Sequence, residues 1–322
     1  MCMTWVLQST ERVCFVSGDP SMWVCFHPDY ETTLPEGHRF PMGKFGALHR
    51  ILLAEELIRA EEVVAPEEAS WDDLKLVHTE PYLDSLRYGT MDQKAERRMG
   101  LPRTDGIVRR SRLATQGTFE ASRLALEDGI GANLAGGMHH GFPGHGEGFC
   151  VLNDVAVAIR MLQKDQHIRR VLVVDLDVHQ GNGIAAVFKD DESVYTFSMH
   201  GEKNYPFKKE QSSRDVGLPD EMDDVAYLDV LMSHLPAVIE EARSELVVYL
   251  AGVDPVVGDR FGRLNVTRDG LAHRDRYVLE TVKKQGIPIT LVLSGGYAKS
   301  DEETADLHAI VHREAKDVFG YF

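Results

Sequence analysis

The sequence predicts an α/β fold: a single three-layer α/β/α domain around a mainly parallel central sheet. Three observations carry that expectation. Short apolar runs rich in Val, Ile and Leu recur along the chain, the composition of strands covered on both faces. Patterns of helical period separate them, the alternation that builds βαβ units. Several runs end in His, Asp or Gly-rich turns, and in parallel sheets the ligand crevice lies beyond the carboxyl ends of the strands.

Residues 1–20 carry no firm period, and their role stays open. Residues 22–26 read as a strand ending at His27-Pro28-Asp29-Tyr30, and the Pro-, Gly- and His-rich stretch to Gly43 as a rim. Leu48, Ile51, Leu52, Leu57 and Ile58 give residues 46–62 a helical period, and residues 63–65, before Pro66, complete a first βαβ unit. Residues 71–88 read as two short helices broken near Pro81, and the stretch with Arg97, Arg98, Pro102 and Gly106 as a solvated loop. A helix over 107–128 presents Arg109, Arg110 and Arg112 as a solvated face and stops at Gly129. A strand at 130–134 leads into the glycine-rich segment 135–150, after which Asn153-Asp154 caps a helix over 155–162.

The run Val171 to Leu176 is apolar but for Asp175, and it stops at Asp177-Val178-His179 in a Gly-rich turn. A helix starts at 184–188, and a strand at 194–197 ends in Ser198-Met199-His200. A long loop to about Asp224 contains Tyr205-Pro206-Phe207, and Pro236 is placed to kink the amphipathic helix 227–242. A strand at 246–251 ends in Gly252-Val253-Asp254, a helix covers 268–285, a strand at 289–293 ends in Ser294-Gly295-Gly296-Tyr297, and a helix covers 301–319. The absence of repeats, linkers and low-complexity segments predicts one domain over 1–322.

The chain has 322 residues, 43% of them hydrophobic, enough for a large core. Thirty-five Lys and Arg against 51 Asp and Glu give a net charge of −16, which disfavours nucleic acid and anionic membranes and draws cationic amines. Cys2, Cys14, Cys25 and Cys150 form no C-x-x-C pair, and no run approaches the roughly 18 apolar residues of a membrane span. The expectation is a cytoplasmic protein.

A lone Asp-x-His is more often a helix cap beside a surface histidine than a metal site. Here five runs end in reactive residues: His139 and His140, Asp177 and His179, Ser198, Asp254, and Tyr297. Asp177, His179 and Asp254 form an Asp₂His set that leaves a coordination position for water or a substrate oxygen. In the histidine pair, one imidazole takes a proton while the other stays charged. Tyr297, after two glycines, is placed to donate to an oxyanion, and Phe149 and Tyr205, flanked by Gly or Pro, to wall a slot beside Gly148.

These motifs, taken together and in order, resemble the zinc-dependent histone deacetylase family from about His27 to Ala298. They are Gly136-Gly137-Met138-His139-His140, Gly148-Phe149-Cys150, Asp175-Leu176-Asp177-Val178-His179-Gln180-Gly181-Asn182-Gly183, Gly252-Val253-Asp254 and Gly295-Gly296-Tyr297. The resemblance implies the arginase/deacetylase fold and zinc, with ferrous iron as alternative, on Asp177, His179 and Asp254. It implies His140 as general base and acid, His139 as its electrostatic partner, and Tyr297 as the hydroxyl that polarises the carbonyl. Gly258 to Arg260 and the Ser-Gly-Gly-Tyr ending look most like the class IV branch and bacterial relatives. Asn182 stands where class I members carry an Asp behind the base histidine. A potassium site is implied on Asp175, Asp177 and Ser198, with backbone oxygens of His179 and Met199.

The expected activity is removal of acetyl or longer acyl groups from lysine side chains of a peptide or protein. The rivals are deacetylation of a small amine such as a polyamine, and a silent acyl-lysine binding module. An acetylated polyamine calls for a carboxylate at the slot mouth, and the residue aligned there, Val266, is apolar.

Overall fold

The computed structural model describes residues 22–321. Residues 1–20, whose role the sequence leaves open, lie outside the described residues, and so do Cys2 and Cys14. The strands are β1 (Trp23–Cys25), β2 (Val63–Val64), β3 (Ile130–Asn133), β4 (Val171–Asp175), β5 (Val194–Gly201), β6 (Arg214–Leu218), β7 (Leu246–Leu250) and β8 (Ile289–Val292). They form one sheet in the order β2-β1-β3-β8-β7-β4-β5-β6, with every neighbouring pair parallel. Every residue of β4 and β7 is buried, which explains their unbroken apolar runs.

The helices are α1 (Lys44–Ala54), α2 (Trp71–Leu74), α3 (Glu80–Tyr88), α4 (Gln93–Met99), α5 (Asp105–Asp128), α6 (Asp154–Lys164), α7 (Asn182–Phe188), α8 (Asp224–Ala242), α9 (Arg268–Lys284) and α10 (Asp301–Phe319). The long α5 lies on β3 and β8 and packs against α6. In a second group α1 packs on α10, α10 on α9 and α9 on α8, with α8 against β4 and β5. Side-chain caps begin several of them: Asn153 accepts from Ala156 N, and Ser300 from Glu303 N. None of the described helices is long and apolar enough to cross a membrane.

One register row fixes the height of the site. Asn133, Val292, Leu250, Asp175 and Ser198 pair in turn across β3, β8, β7, β4 and β5. Four adjacent strands, β3, β8, β7 and β4, therefore release their loops at one level, while β5 carries Ser198 at that level and runs on to Gly201.

Several expectations change. The helix read over residues 46–62 ends at Ala54, and Leu57 and Ile58 follow it in a turn. The stretch read as a solvated loop contains α4: Asp92 caps it, accepting from Lys94 N and Ala95 N, and Gly100 ends it at φ 78°. Pro81 sits in the first turn of α3 and starts that helix instead of breaking one. The long loop before Asp224 contains β6, an edge strand whose polar Arg-Asp-Val-Gly-Leu sequence hides its period. Arg110 is buried: its Nε donates to the Tyr30 carbonyl at 2.8 Å, and its guanidinium lies 4.6 Å from the Phe45 ring centroid. Arg109 alone is exposed; Arg112 is partly buried, its guanidinium 4.7 Å from the Trp71 ring centroid, and both pair with Glu68.

Candidate active site

After β4 the chain turns at Asp177 and His179, while Asp254 arrives from the loop after β7. The three side chains offer ligand atoms that all lie within 4.8 Å of one another, and all three are buried. Each carboxylate is held by one or both oxygens. Asp177 Oδ2 accepts from Gly295 N at 2.6 Å and Ser294 Oγ at 2.7 Å, and its Oδ1 accepts from His179 N at 2.9 Å. Asp254 Oδ1 accepts from Val178 N at 2.8 Å. Its other oxygen, Oδ2, is buried with no hydrogen-bond donor, although His179 Nδ1 stands 3.1 Å away. The same His179 Nδ1 lies 2.9 Å from Asp177 Oδ1. Two buried carboxylate oxygens converging on one imidazole nitrogen, one of them an orphan, are costly unless a cation sits among them. The donor set fits a divalent metal ion.

The loop after β3 brings two histidines to this cluster, their rings 4.1 Å apart. His139 Nδ1 lies 2.8 Å from Asp175 Oδ2 and His140 Nδ1 lies 2.6 Å from Asn182 Oδ1. The carboxylate behind one ring and the neutral amide behind the other separate their basicities. Burial lowers His139, but the charges of Asp175 and Asp177 outweigh it and push that imidazole up to about 9. Burial, followed by the charges of His139 and His179, holds His140 well below its ordinary value. The two rings are thereby driven in opposite directions.

The turn after β8 carries Tyr297, whose ring stands 6.5 Å from that of His179 and whose N–H donates to Asp259 at 2.7 Å. Tyr297 lines the same cavity as His139, His140, Gly148 and Phe149. Tyr205 stands edge-on to His140 at 5.1 Å, and Phe149 lies 5.9 Å from Tyr297. Gly148 has φ 54°, and a Cβ there would stand 2.6 Å from His140 Cδ2. In β5, Ser198 is buried with its Oγ 2.9 Å from His200 Nδ1.

Val266 is a correction. It is fully buried, pairs with Val256 and belongs to the core, so it does not stand at the slot mouth. The residue packed on the tyrosine is Phe261, 4.8 Å from the Tyr297 ring and 6.2 Å from Phe149.

Two buried basic side chains support these turns. Lys44 Nζ donates to the Ser294 carbonyl at 3.1 Å and lies 3.2 Å from His308 Nε2, and burial pushes its amine down to about 8. Arg274 Nη1 donates to the Gly252 carbonyl at 2.6 Å, bracing the turn that delivers Asp254, while its Nε pairs with Asp275. Neither position carries a sequence pattern, since each lies on the buried face of an ordinary amphipathic helix.

Comparison with known proteins agrees with this fold. The histone deacetylase domain model matches residues 38–312. The chain is 47% identical over 298 residues to an uncharacterized protein of Picosynechococcus sp., covering 92% of this chain and 99% of that one. It is 33% identical over 273 residues to histone deacetylase 2 of Arabidopsis thaliana, covering 82% of this chain and 70% of the plant protein. Identity with human histone deacetylase 1 is 29% over 301 residues, where the match spans 85% of this chain and 61% of the human protein. The crystal structure of an HDAC homolog complexed with SAHA superposes with a TM-score of 0.76 at 25% identity, covering 93% of this chain and 88% of that one. With its parallel eight-stranded sheet in the arginase/deacetylase arrangement, this chain belongs to the histone deacetylase family.

Proposed function

We propose that this chain is a metal-dependent deacylase that removes acetyl or longer acyl groups from the side-chain amine of lysine. The orphaned, buried Asp254 Oδ2 facing His179 Nδ1 carries the reading, because a silent binding module has no use for it. Asp177, His179 and Asp254 would hold the ion, and one nitrogen with two carboxylates suits zinc or ferrous iron. Such an ion supplies Lewis acidity, polarising the amide carbonyl and bringing the pKa of water toward ~7.

The chain's own groups do the rest. His140, neutral and engaged at Nδ1, takes the proton of the attacking water on Nε2 as the oxygen bonds to the carbonyl carbon. The Tyr297 hydroxyl donates to the oxyanion of the tetrahedral intermediate, and the charged His139 beside Asp175 favours that negative charge. Collapse breaks the C–N bond, His140 Nε2 returns its proton to the leaving amine, and the carboxylic acid and lysine amine so formed exchange the remaining proton to leave a carboxylate and an ammonium group. Asp175 and Ser198, register partners in β4 and β5, would with Asp177 hold a potassium ion behind the site, together with the backbone oxygens of His179 and Met199. Gly148, Phe149, Tyr205 and Phe261 wall the slot for the lysine stem.

The test is chelation of purified protein followed by stoichiometric zinc, read as hydrolysis of acyl-lysine peptides of graded acyl length. Loss and recovery of activity is the expected result. Full activity in demonstrably metal-free protein overturns the proposal.

A further inference from the structure

Glu147 sits in the turn between the histidine pair and the slot, with its side chain 14% exposed. Its backbone is fixed by reciprocal hydrogen bonds with Cys150, at 3.0 and 2.8 Å. The carboxylate meets polar groups from four directions. Oε1 accepts from the Tyr205 hydroxyl and from Asn182 Nδ2 at 3.1 Å; Oε2 faces Arg98 Nε at 3.2 Å and His145 Nε2 at 3.5 Å. His145 first, then Tyr205, Asn182 and the Arg98 charge, hold the carboxyl down to about 2 against the opposing effect of burial. At neutral pH it is acceptor only.

That one-sidedness matters because of what stands behind His140. An aspartate there would present an acceptor whichever way it turned. A carboxamide has a donor end and an acceptor end, and its direction must be imposed by its neighbours. Asn182 is buried, and Glu147 takes the hydrogens of its nitrogen end. The oxygen end is thereby turned to the other side, where Gly183 N donates to it at 3.1 Å and His140 Nδ1 lies 2.6 Å away. An acceptor at that distance requires His140 Nδ1 to carry a proton, and in the neutral ring that leaves Nε2 bare.

We propose that Glu147 is a positioning residue for the deacylation proposed above: it aims the Asn182 oxygen at His140, selects the tautomer whose Nε2 is free to accept a proton, and anchors the Tyr205 wall of the slot. Its consequence for turnover rests on that function; its consequence for the tautomer does not.

The experiment measures nitrogen-15 shifts of labelled histidine in the zinc-loaded protein, with His140 assigned by His140→Ala, beside kcat and KM. In the unsubstituted protein His140 should be neutral and protonated on Nδ1; protonation on Nε2 overturns the proposal without any variant. Glu147→Gln keeps an oxygen for Asn182 and Tyr205, and should keep both the tautomer and kcat within about twofold. Glu147→Leu leaves the amide without its acceptor, and should mix the tautomers and lower kcat about tenfold, with KM changed less than about threefold. A Leu variant with an unchanged tautomer and kcat overturns the proposal. Should that variant fail to fold, Glu147→Ala is read in the same way, and the tautomer of the unsubstituted protein decides in any case. Glu147→Leu combined with Asn182→Ala should be no slower than Asn182→Ala alone, whereas additive losses would mean that Glu147 does not act through Asn182. Absence of all deacylation would refute the proposed function, and the tautomer would still report on Glu147.

Discussion

Single atoms divide the labour in this site. In the proposed mechanism Asp254 Oδ2 takes a cation, the Asp175 carboxylate favours a charged His139, and the Asn182 amide favours a neutral His140. Tyr297 is the remaining group, and its hydroxyl acts only once the carbonyl oxygen carries charge. Tyr297→Phe should therefore lower kcat about 10²-fold or more with KM nearly unchanged, measured on an acetyl-lysine peptide. Equal turnover by the variant and the unsubstituted protein would remove the tyrosine from the mechanism. The residues of this machinery were legible in the sequence because Asp, His and Tyr stand out at the end of apolar runs. Glu147 and Phe261 were not, since a glutamate among glycines and a phenylalanine in a turn match many surfaces, and only packing shows which one they meet. Val266 was misplaced for the same reason: an apolar residue beside a turn reads equally as gate or core, and its burial decides for core. Arg110 misled in the opposite sense, because a run of arginines gives no sign that the middle one turns inward onto Phe45.

At the scale of elements, the sheet was the most legible part, since buried parallel strands write themselves as uninterrupted apolar runs. The long helices were equally plain, and the last of them begins and ends where its Ser300 cap and Gly320 stop place it. Elements held by little apolar burial were not: β6 is an edge strand with alternating exposed positions, and α4 is a short, charged helix betrayed only by Asp92 and Gly100. The loops that follow β7 and β8 are legible in composition but not in their closeness. Gly295 passes so near the metal cluster that a Cβ there would stand 2.1 Å from Asp254 Oδ2 and 2.6 Å from Asp177 Oδ2. Gly295→Ala should therefore push the β8 turn off both carboxylates and break the Gly295 N–H bond to Asp177. A tenfold or larger loss of zinc affinity is expected with the far-ultraviolet spectrum retained, measured by competition with a chromogenic chelator. Zinc affinity equal to that of the unsubstituted protein would mean that the two turns slide past one another freely.

For the whole molecule, charge and fit pull on the substrate differently. A net charge of −16 draws cationic amines of every kind, acetylated polyamines included, but such a field acts on encounter and is screened by salt. Under the proposed function fit would be decided where the apolar rings of Phe261 and Phe149 pack around Tyr297. Rings of that kind suit the methylene stem of lysine, each buried CH₂ contributing about 0.8 kcal/mol, and longer acyl chains gain by the same measure. An acetylated polyamine keeps further ammonium groups whose desolvation an apolar mouth does not offset. Raising ionic strength from about 0.05 to about 0.5 M should therefore lower kcat/KM for acetyl-lysine peptides with flanking lysines and leave kcat unchanged. Across that series acyl-lysine peptides should stay ahead of acetylated putrescine and spermidine, because screening removes the attraction and not the shape of the mouth. A preference for the polyamines that persists at high salt would place a carboxylate where the rings of Phe261 and Phe149 are taken to meet the substrate, and lysine would then give way to a small amine as the natural substrate.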